Sequence, residues 1–543
     1  MEATMMDTQL TLDKILDRAS RYFGDVEVVS QMPDKRLLRH GYSDIAHRSK
    51  ALAKGLQQRG LEKGDRVATL MWNHHAHLET YFGAPLAGGI YHTLNLKLSP
   101  ADLTYIVNNA EDRYLIVDDV LLPLLQSFAD EVDIEEIFVV RLTDEELPEG
   151  YTDYEELLAD DIDGWEVPEL DERQGAGLCY TSGTTGRPKG VVYDHRSIVL
   201  HSMGSAMADT LDISARDTVL PVVPMFHANA WGLPFTSAMV GAKQVFPGPH
   251  LDGESLLDLY ESEEVTITAG VPTIWLDVVQ QLQTDPDGWD LVDGMAMVVG
   301  GAAAPRSMIA NFDEFDLRVI HAWGMTELTP LGTVSNLRPV HDDLSYDEKL
   351  DVRAKQGPAA PMVELRAVDD EGNEVPWDGE TVGELQARGP WVADSYASGR
   401  DADKWTADGW FSTGDVVNID ENGYIQITDR LKDVIKSGGE WISSQALENA
   451  IMGHDAVAEA AVIAIPDEKW SERPLAVVVF KDGQSATGDE LDELLLEQFP
   501  KWWLPEGYEV IDEIPRTATG KFQKMELREM FGDWRPGQST DDS

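Results

Sequence analysis

Residues 180–190 read YTSGTTGRPKG, with three threonines, a serine, three glycines and one lysine following a short apolar run. Glycines let backbone N–H groups come close to a ligand, and hydroxyls and an ammonium add donors, so the stretch suits an anion. The Walker A pattern needs Gly, four residues and then Gly-Lys-Ser/Thr. Here Pro188 stands five residues after Gly183, and Lys189 is followed by Gly190. From its own residues the segment is either another kind of phosphate loop or a polar turn. A second cluster, NHHAHLE at 73–79, places His75 and Glu79 four residues apart, on one face if helical. A zinc-type site needs a third ligand and a supporting shell, and neither is evident, so no metal is assigned there.

The elements that must hold such residues alternate. LTLDKILDRASRYF has helical spacing, RVATLMW reads as a strand, and HLETYFGAPLAGG as a helix. Short apolar runs recur at RYLIVDD, EIFVVRL, AGLCY, VTITAGVP and AMVVGGA. Strands alternating with helices predict an α/β architecture with mostly parallel sheets. Residues 143–173 are acid-rich and read as surface connection. From about Val363 the texture becomes β-rich (VELRAVDDEGNEV, VGELQARGP, YIQITDRL), and after DRLKDVIKSGGE it becomes α+β. SSQALENAIMG reads as a helix with Ser443 or Ser444 as N-cap.

At 543 residues the chain is long enough for two or three domains. Its net charge of −55 leaves no broad basic face for nucleic acid or an anionic membrane. Acids spread over the whole chain suit a protein that stays soluble at high salt, where self-repulsion is screened. A halophile's cytoplasm is the expected setting; Cys179 is the single cysteine, so no internal disulfide forms. Residues 218–242 carry no Asp, Glu, Lys or Arg, but Pro221, Pro224 and Pro234 interrupt them, so a buried strand-loop-helix is expected rather than a membrane span.

Four further segments, VVGGAAAP at 298–305, HAWGMTEL at 321–328, FSTGD at 411–415 and TATGKFQK at 517–524, accompany TSGTTGRPKG in order. Together they resemble the AMP-forming acyl-CoA synthetases of the adenylate-forming superfamily over nearly the whole chain. MFHANAW at 225–231 and DRLKDVIKSGGEWIS at 429–443 are most similar to the fatty acyl-CoA branch. The resemblance implies a large N-terminal domain, residues 1–431, of two α/β subdomains and a β-rich subdomain. A small mobile α+β domain, residues 432–543, follows a hinge at Lys432.

The implied reaction is ligation of a medium- or long-chain fatty acid to coenzyme A through an acyl-adenylate, with ATP and Mg²⁺. Thr181, Ser182, Gly183, Thr184, Thr185, Gly186 and Lys189 are implied to handle the triphosphate. Glu327 and Thr184 would hold the metal, Thr326 would donate to the α-phosphate, and Lys521 would be the catalytic cation of adenylation. Gly301, Ala302, Ala303, His321, Ala322, Trp323, Gly324 and Met325 would meet the adenine side, with Trp323 stacking where tyrosine is the usual residue. Asp415 would accept from the ribose hydroxyls, with Arg430 assisting. Lys436, Gly438, Gly439 and Trp441 would face the nucleotide and the pantetheine arm. His227, Ala228 and Trp231 would line the acyl pocket, Trp231 acting as a gate. The alternatives are a ligase for an aryl or short-chain acid, or an inactive nucleotide-binding relative. No nucleic-acid partner is expected, and homodimers are frequent among the look-alikes.

Overall fold

The computed structural model describes residues 3–181, 187–397, 399, 401–437, 440–467, 469–481, 483–516, 522–532 and 534–535. The chain forms two compact units, one drawn from residues 1–183, 187–365 and 387–411, the other mainly from 366–386 and 412–543.

In the first unit the predicted apolar runs become strands of two sheets. A seven-stranded sheet runs in the order Thr152–Asp153, Glu136–Val140, Asp112–Asp118, Arg66–Leu70, Ile90–Thr93, Gly175–Tyr180, Gly190–Asp194. All its pairings are parallel except the last, which is antiparallel. An eight-stranded sheet has the order Leu331–Ser335, Arg318–Gly324, Ala296–Val299, Ile267–Gly270, Thr218–Pro221, Lys243–Phe246, Glu27–Gln31, Leu37–Gly41. It too is parallel apart from its two edge strands. Parallel strands need both faces covered, and the helices do this. Leu12–Phe23 buries Leu12, Ile15, Leu16 and Ala19, the spacing of one helical face.

His75–Leu86 is buried on every side. Its one carboxylate, Glu79, accepts from Arg48 Nε at 2.7 Å and from Tyr154 Oη at 2.8 Å. Burial raises the pKa of Glu79, and the Arg48 guanidinium opposes that rise. Glu79 is thus spent on structure. Tyr154 also corrects one expectation. Residues 143–173 are not only surface connection: they add the edge strand Thr152–Asp153 and insert Tyr154 and Leu157 into the core.

The charge-free stretch at 218–242 is the expected strand, loop and helix, with Thr218–Pro221 in the sheet and Leu233–Val240 helical. Among the described residues no helix is long and apolar enough to cross a membrane.

The second unit carries a four-stranded sheet, Glu364–Val368, Gly383–Arg388, Phe411–Ile419 and Ile425–Arg430, and a five-stranded sheet centred on Val457–Asp467 and Ser471–Phe480. Alternation along the latter strands divides the core. Val462 and Val478 pack with Ile435, Leu447 and Ile451 on one face, and Ile463 and Val477 with Leu527 and Phe531 on the other. Ser443 caps the helix Ser444–Ile451, accepting from the Ala446 N–H at 3.0 Å. Lys432, the expected hinge, lies inside this unit.

Candidate active site

In the eight-stranded sheet the neighbouring strands Thr218–Pro221, Ile267–Gly270, Ala296–Val299 and Arg318–Gly324 run parallel. Their carboxyl ends therefore deliver residues 222–232, 300–305 and 325–329 to one edge, the usual ligand position of an open α/β sheet. Three of the expected site segments are brought together in this way.

The strand Arg318–Gly324 carries His321, Ala322 and Trp323. His321 is buried, with Nδ1 3.0 Å from the Ala354 carbonyl oxygen and Nε2 accepting from the Ala304 N–H at 3.3 Å. Burial lowers its pKa to about 4, so it stays neutral and can both donate and accept. It braces the 301–304 loop, where Gly301 and Ala302 are exposed and Ala303 half-buried. Gly301 has φ 76°, a conformation glycine adopts without strain. The Trp323 indole is nearly buried on Gly332, where a Cβ would come within 2.4 Å of it. Gly324 lies so close to Pro330 that a side chain there would meet its carbonyl oxygen at 2.1 Å. Met325 N–H donates to that same carbonyl at 3.0 Å.

A short turn, Thr326–Leu328, then places Thr326 and Glu327, both buried. The Thr326 carbonyl accepts from Tyr193 Oη at 2.7 Å. Glu327 Oε1 accepts from Tyr396 Oη at 2.6 Å, and its carbonyl accepts from the Ala393 N–H at 2.7 Å. The face of the Tyr396 ring carries Lys189 Nζ at 5.1 Å, and Asp401 pairs with the same ammonium at 2.7 Å. Tyr396 thus joins the lysine of the glycine-rich loop to the carboxylate of the other motif. Neither Tyr396 nor Asp401 belongs to a recognisable motif, and Tyr396 stands 69 residues from Glu327. No pattern of types or spacing in the sequence marks them.

The glycine-rich segment joins the antiparallel strands Gly175–Tyr180 and Gly190–Asp194, and Thr181 N–H donates to the Lys189 carbonyl at 2.8 Å. Ser182, Gly183, Thr184, Thr185 and Gly186 lie outside the described residues, as do Gly438, Gly439 and Lys521. Trp231, half-buried, lays its indole against Gly300, where a Cβ would lie 2.8 Å from it. The predicted gate residue therefore touches the loop that leads to Gly301. His227 is half-buried and Ala228 buried on the same connection.

The second unit places Asp415 and Arg430 opposite one another on antiparallel strands, with Arg430 Nε 2.8 Å from Asp415 Oδ1. Asp415 is buried and Arg430 is not, so the carboxylate is held from one side by a fixed cation. Lys432 is exposed, and its carbonyl accepts from Arg528 at 3.1 Å. The backbone N–H of Lys436 donates to Glu472 at 2.8 Å, and its ammonium lies 3.5 Å from Asp370. Trp441 pairs with Lys436 across two short strands, and its side chain is outside the described residues.

In chemical terms the first unit offers a buried carboxylate, threonines and a lysine beside a glycine-rich loop, next to an aromatic wall. The profile of the AMP-binding enzyme family matches residues 16–397, and that of the AMP-binding enzyme C-terminal domain matches residues 446–521. A long-chain-fatty-acid–CoA ligase of Thermus thermophilus is 48% identical over 98% of each chain. A medium-chain-fatty-acid–CoA ligase of Ectopseudomonas oleovorans is 44% identical, again over 98% of each. Among solved structures, the anthranilate CoA ligase AuaEII in complex with anthranoyl-AMP superposes with a TM-score of 0.83 at 25% identity, covering 98% of this chain and 99% of its own.

Proposed function

The chain belongs to the AMP-binding enzyme family, and on that premise we propose that it ligates a medium- or long-chain fatty acid to coenzyme A, releasing AMP and pyrophosphate. The observation that carries this reading is the 48% identity, end to end, with a ligase named for long-chain fatty acids.

The first step brings a carboxylate to the α-phosphorus of ATP and expels pyrophosphate. One anion approaches another, so positive charge must be fixed where negative charge develops. Among the described residues no group of three or more His, Cys, Asp or Glu is placed to hold a metal. Magnesium needs only one or two carboxylates when phosphate oxygens and water complete its shell, and buried Glu327 fits that demand. Glu327 and Thr184 would hold the ion, whose chemistry is to neutralise phosphate charge during displacement. Thr326 and Lys189 would orient the phosphates, Asp415 the ribose, and Lys521 the reacting oxygen. Rotation about Lys432 would then exchange Lys521 for the surface that admits the thiol, with Lys436, Gly438, Gly439 and Trp441 facing it. An acyl chain gains roughly 0.8 kcal/mol per buried CH₂, so the wall formed by Trp231 would give strong chain-length discrimination.

Tyr396 enters as a positioning residue. Tyr396→Phe keeps the ring beneath Lys189 and removes the donor to Glu327. A hydrogen bond to a charged group contributes about 1.5–3 kcal/mol, so apparent magnesium affinity should weaken roughly tenfold or more while the KM for the acid holds. A magnesium titration of acid-dependent ATP–pyrophosphate exchange, paired with calorimetric titration of magnesium–ATP, reads this; unchanged curves in both would remove the role.

The proposed setting is a cytoplasm of high salt. The decisive assay is CoA-dependent AMP release from acetate, butyrate, octanoate, palmitate, oleate and benzoate, in molar KCl and in dilute buffer. Octanoate or palmitate should lead, and activity should fall in dilute buffer. A lead for benzoate or acetate would replace the substrate assignment, and equal activity in dilute buffer would remove the salt adaptation.

A further inference from the structure

Residues 228–231 hold an unusual backbone. Ala228, Asn229, Ala230 and Trp231 have φ of 44°, 56°, 48° and 56°, and Gly232 follows at 74°. Five consecutive residues are left-handed, with ψ 45° at Asn229 and 42° at Ala230. For L-residues this conformation is unfavourable, and only glycine and to some degree asparagine adopt it readily. Strain of this kind persists where surrounding contacts over-determine it, and such contacts cluster at functional sites.

The contacts are specific. Asn229, only 3% exposed, donates from Nδ2 to Tyr91 Oη at 2.7 Å. Its Oδ1 accepts from the Cys179 thiol at 3.2 Å. Gly232 sits so close to His201 that a Cβ would lie 2.5 Å from the imidazole, so no side chain fits. Trp231 is pressed on Gly300 at the other flank. Backbone bonds from His227 and Ala230 to the Pro224 carbonyl, at 3.0 and 3.2 Å, close the approach to the turn.

Asn229 also reaches beyond the turn. Cys179 is the last residue but one of the strand Gly175–Tyr180, two before Thr181, where the glycine-rich loop begins. On the neighbouring strand Gly190–Asp194, the Tyr193 hydroxyl donates to the Thr326 carbonyl beside Glu327 at 2.7 Å. A buried polar chain therefore runs Tyr91, Asn229, Cys179, from the acyl-side turn to the strand that leads into the glycine-rich loop.

We propose that Asn229 is a positioning residue for acyl-chain selection: its two side-chain bonds hold the left-handed turn that sets Trp231 against Gly300 and tie that turn to the base of the glycine-rich loop. The proposal rests on the reading above that Trp231 lines the acyl pocket. Without the two bonds the turn loses what offsets its strain, and Trp231 is no longer confined to one position. Pocket depth then varies, and chains of different length are discriminated less.

The test separates backbone from side chain. Asn229→Gly tolerates the left-handed conformation and so keeps the fold, but lacks both bonds. Tyr91→Phe removes the acceptor from the far side and leaves Asn229 in place. With purified full-length enzyme in molar KCl, the ratio of kcat/KM for palmitate to that for octanoate is measured alongside the KM for ATP and the thermal midpoint. Both variants should flatten the ratio by about tenfold, the scale of a lost buried hydrogen bond, with the KM for ATP held within about twofold. A wild-type ratio in Asn229→Gly overturns the proposal, because the backbone alone then suffices. A parallel rise in the KM for ATP and for both acids, with the ratio kept, also overturns it, since that is the signature of general destabilisation. If the wild-type enzyme activates neither acid, the parent reading falls and this inference with it; a normal wild-type profile with unmoved variants removes this inference alone.

Discussion

Lys521→Ala should abolish acid-dependent ATP–pyrophosphate exchange while largely sparing thioester formation from pre-made acyl-adenylate. In adenylation the attacking carboxylate and the α-phosphate are both anionic, and a cation at the bridging oxygen favours the transition state over the separated reactants. Losing one such fixed donor costs roughly 10²–10³ in rate. In thiol attack the acyl group is already an anhydride and AMP leaves as a stable anion, so the same lysine has less to offset. Lys524, three residues on, is already engaged elsewhere. It is half-buried with its ammonium 2.6 Å from Glu448 Oε1 and 2.6 Å from Ser444 Oγ. Those partners hold its pKa up against desolvation, so it is a committed structural charge. The residues flanking position 521 are anchored as well, Arg516 bridging Phe522 and the Gln523 N–H donating to the Pro515 carbonyl at 2.7 Å. The variant should therefore fold normally. Stopped-flow measurement of the two half-reactions decides the matter, and an equal loss in both would refute a role confined to adenylation.

Glu327→Gln should reduce adenylation by about 10²–10³, the scale of removing a charged group that acts on phosphate chemistry. The substitution is nearly isosteric and retains an oxygen to accept from Tyr396. It removes a buried negative charge, whose desolvation opposed folding, so the thermal midpoint should hold or rise. Raising magnesium should recover part of the lost rate if the carboxylate serves the ion. A variant that exchanges pyrophosphate at the wild-type rate would take Glu327 out of the metal site. A lowered thermal midpoint with unchanged kinetic response to magnesium would make it a structural acid instead.

The two variants probe different units of the chain. Glu327 belongs to the first, where Tyr396, Lys189 and Asp401 form one connected set; position 521 belongs to the second, with the Asp415–Arg430 pair.

Much of this was legible in residue order alone. Runs such as RVATLMW and AGLCY become strands, and LTLDKILDRASRYF a helix, because burial of one face or both imposes a period that neighbouring residues display. The candidate site was legible where one turn or strand end holds a whole motif, as in HAWGMTEL, since a few adjacent residues then carry both the backbone shape and the candidate donors. The tertiary structure alone decided what distant segments do to one another. It put the strand Glu27–Gln31 between its sequence neighbour Leu37–Gly41 and the distant Lys243–Phe246, assigned Glu79 to Arg48 and Tyr154, and aimed Tyr396 at Glu327. It also set the left-handed turn at Asn229, whose local propensities favour no such run. The reason is physical: periodicity and turn chemistry act over a few residues. The partner of a buried carboxylate, hydroxyl or strained amide is chosen by sheet order and register, which bring together atoms that the chain holds far apart.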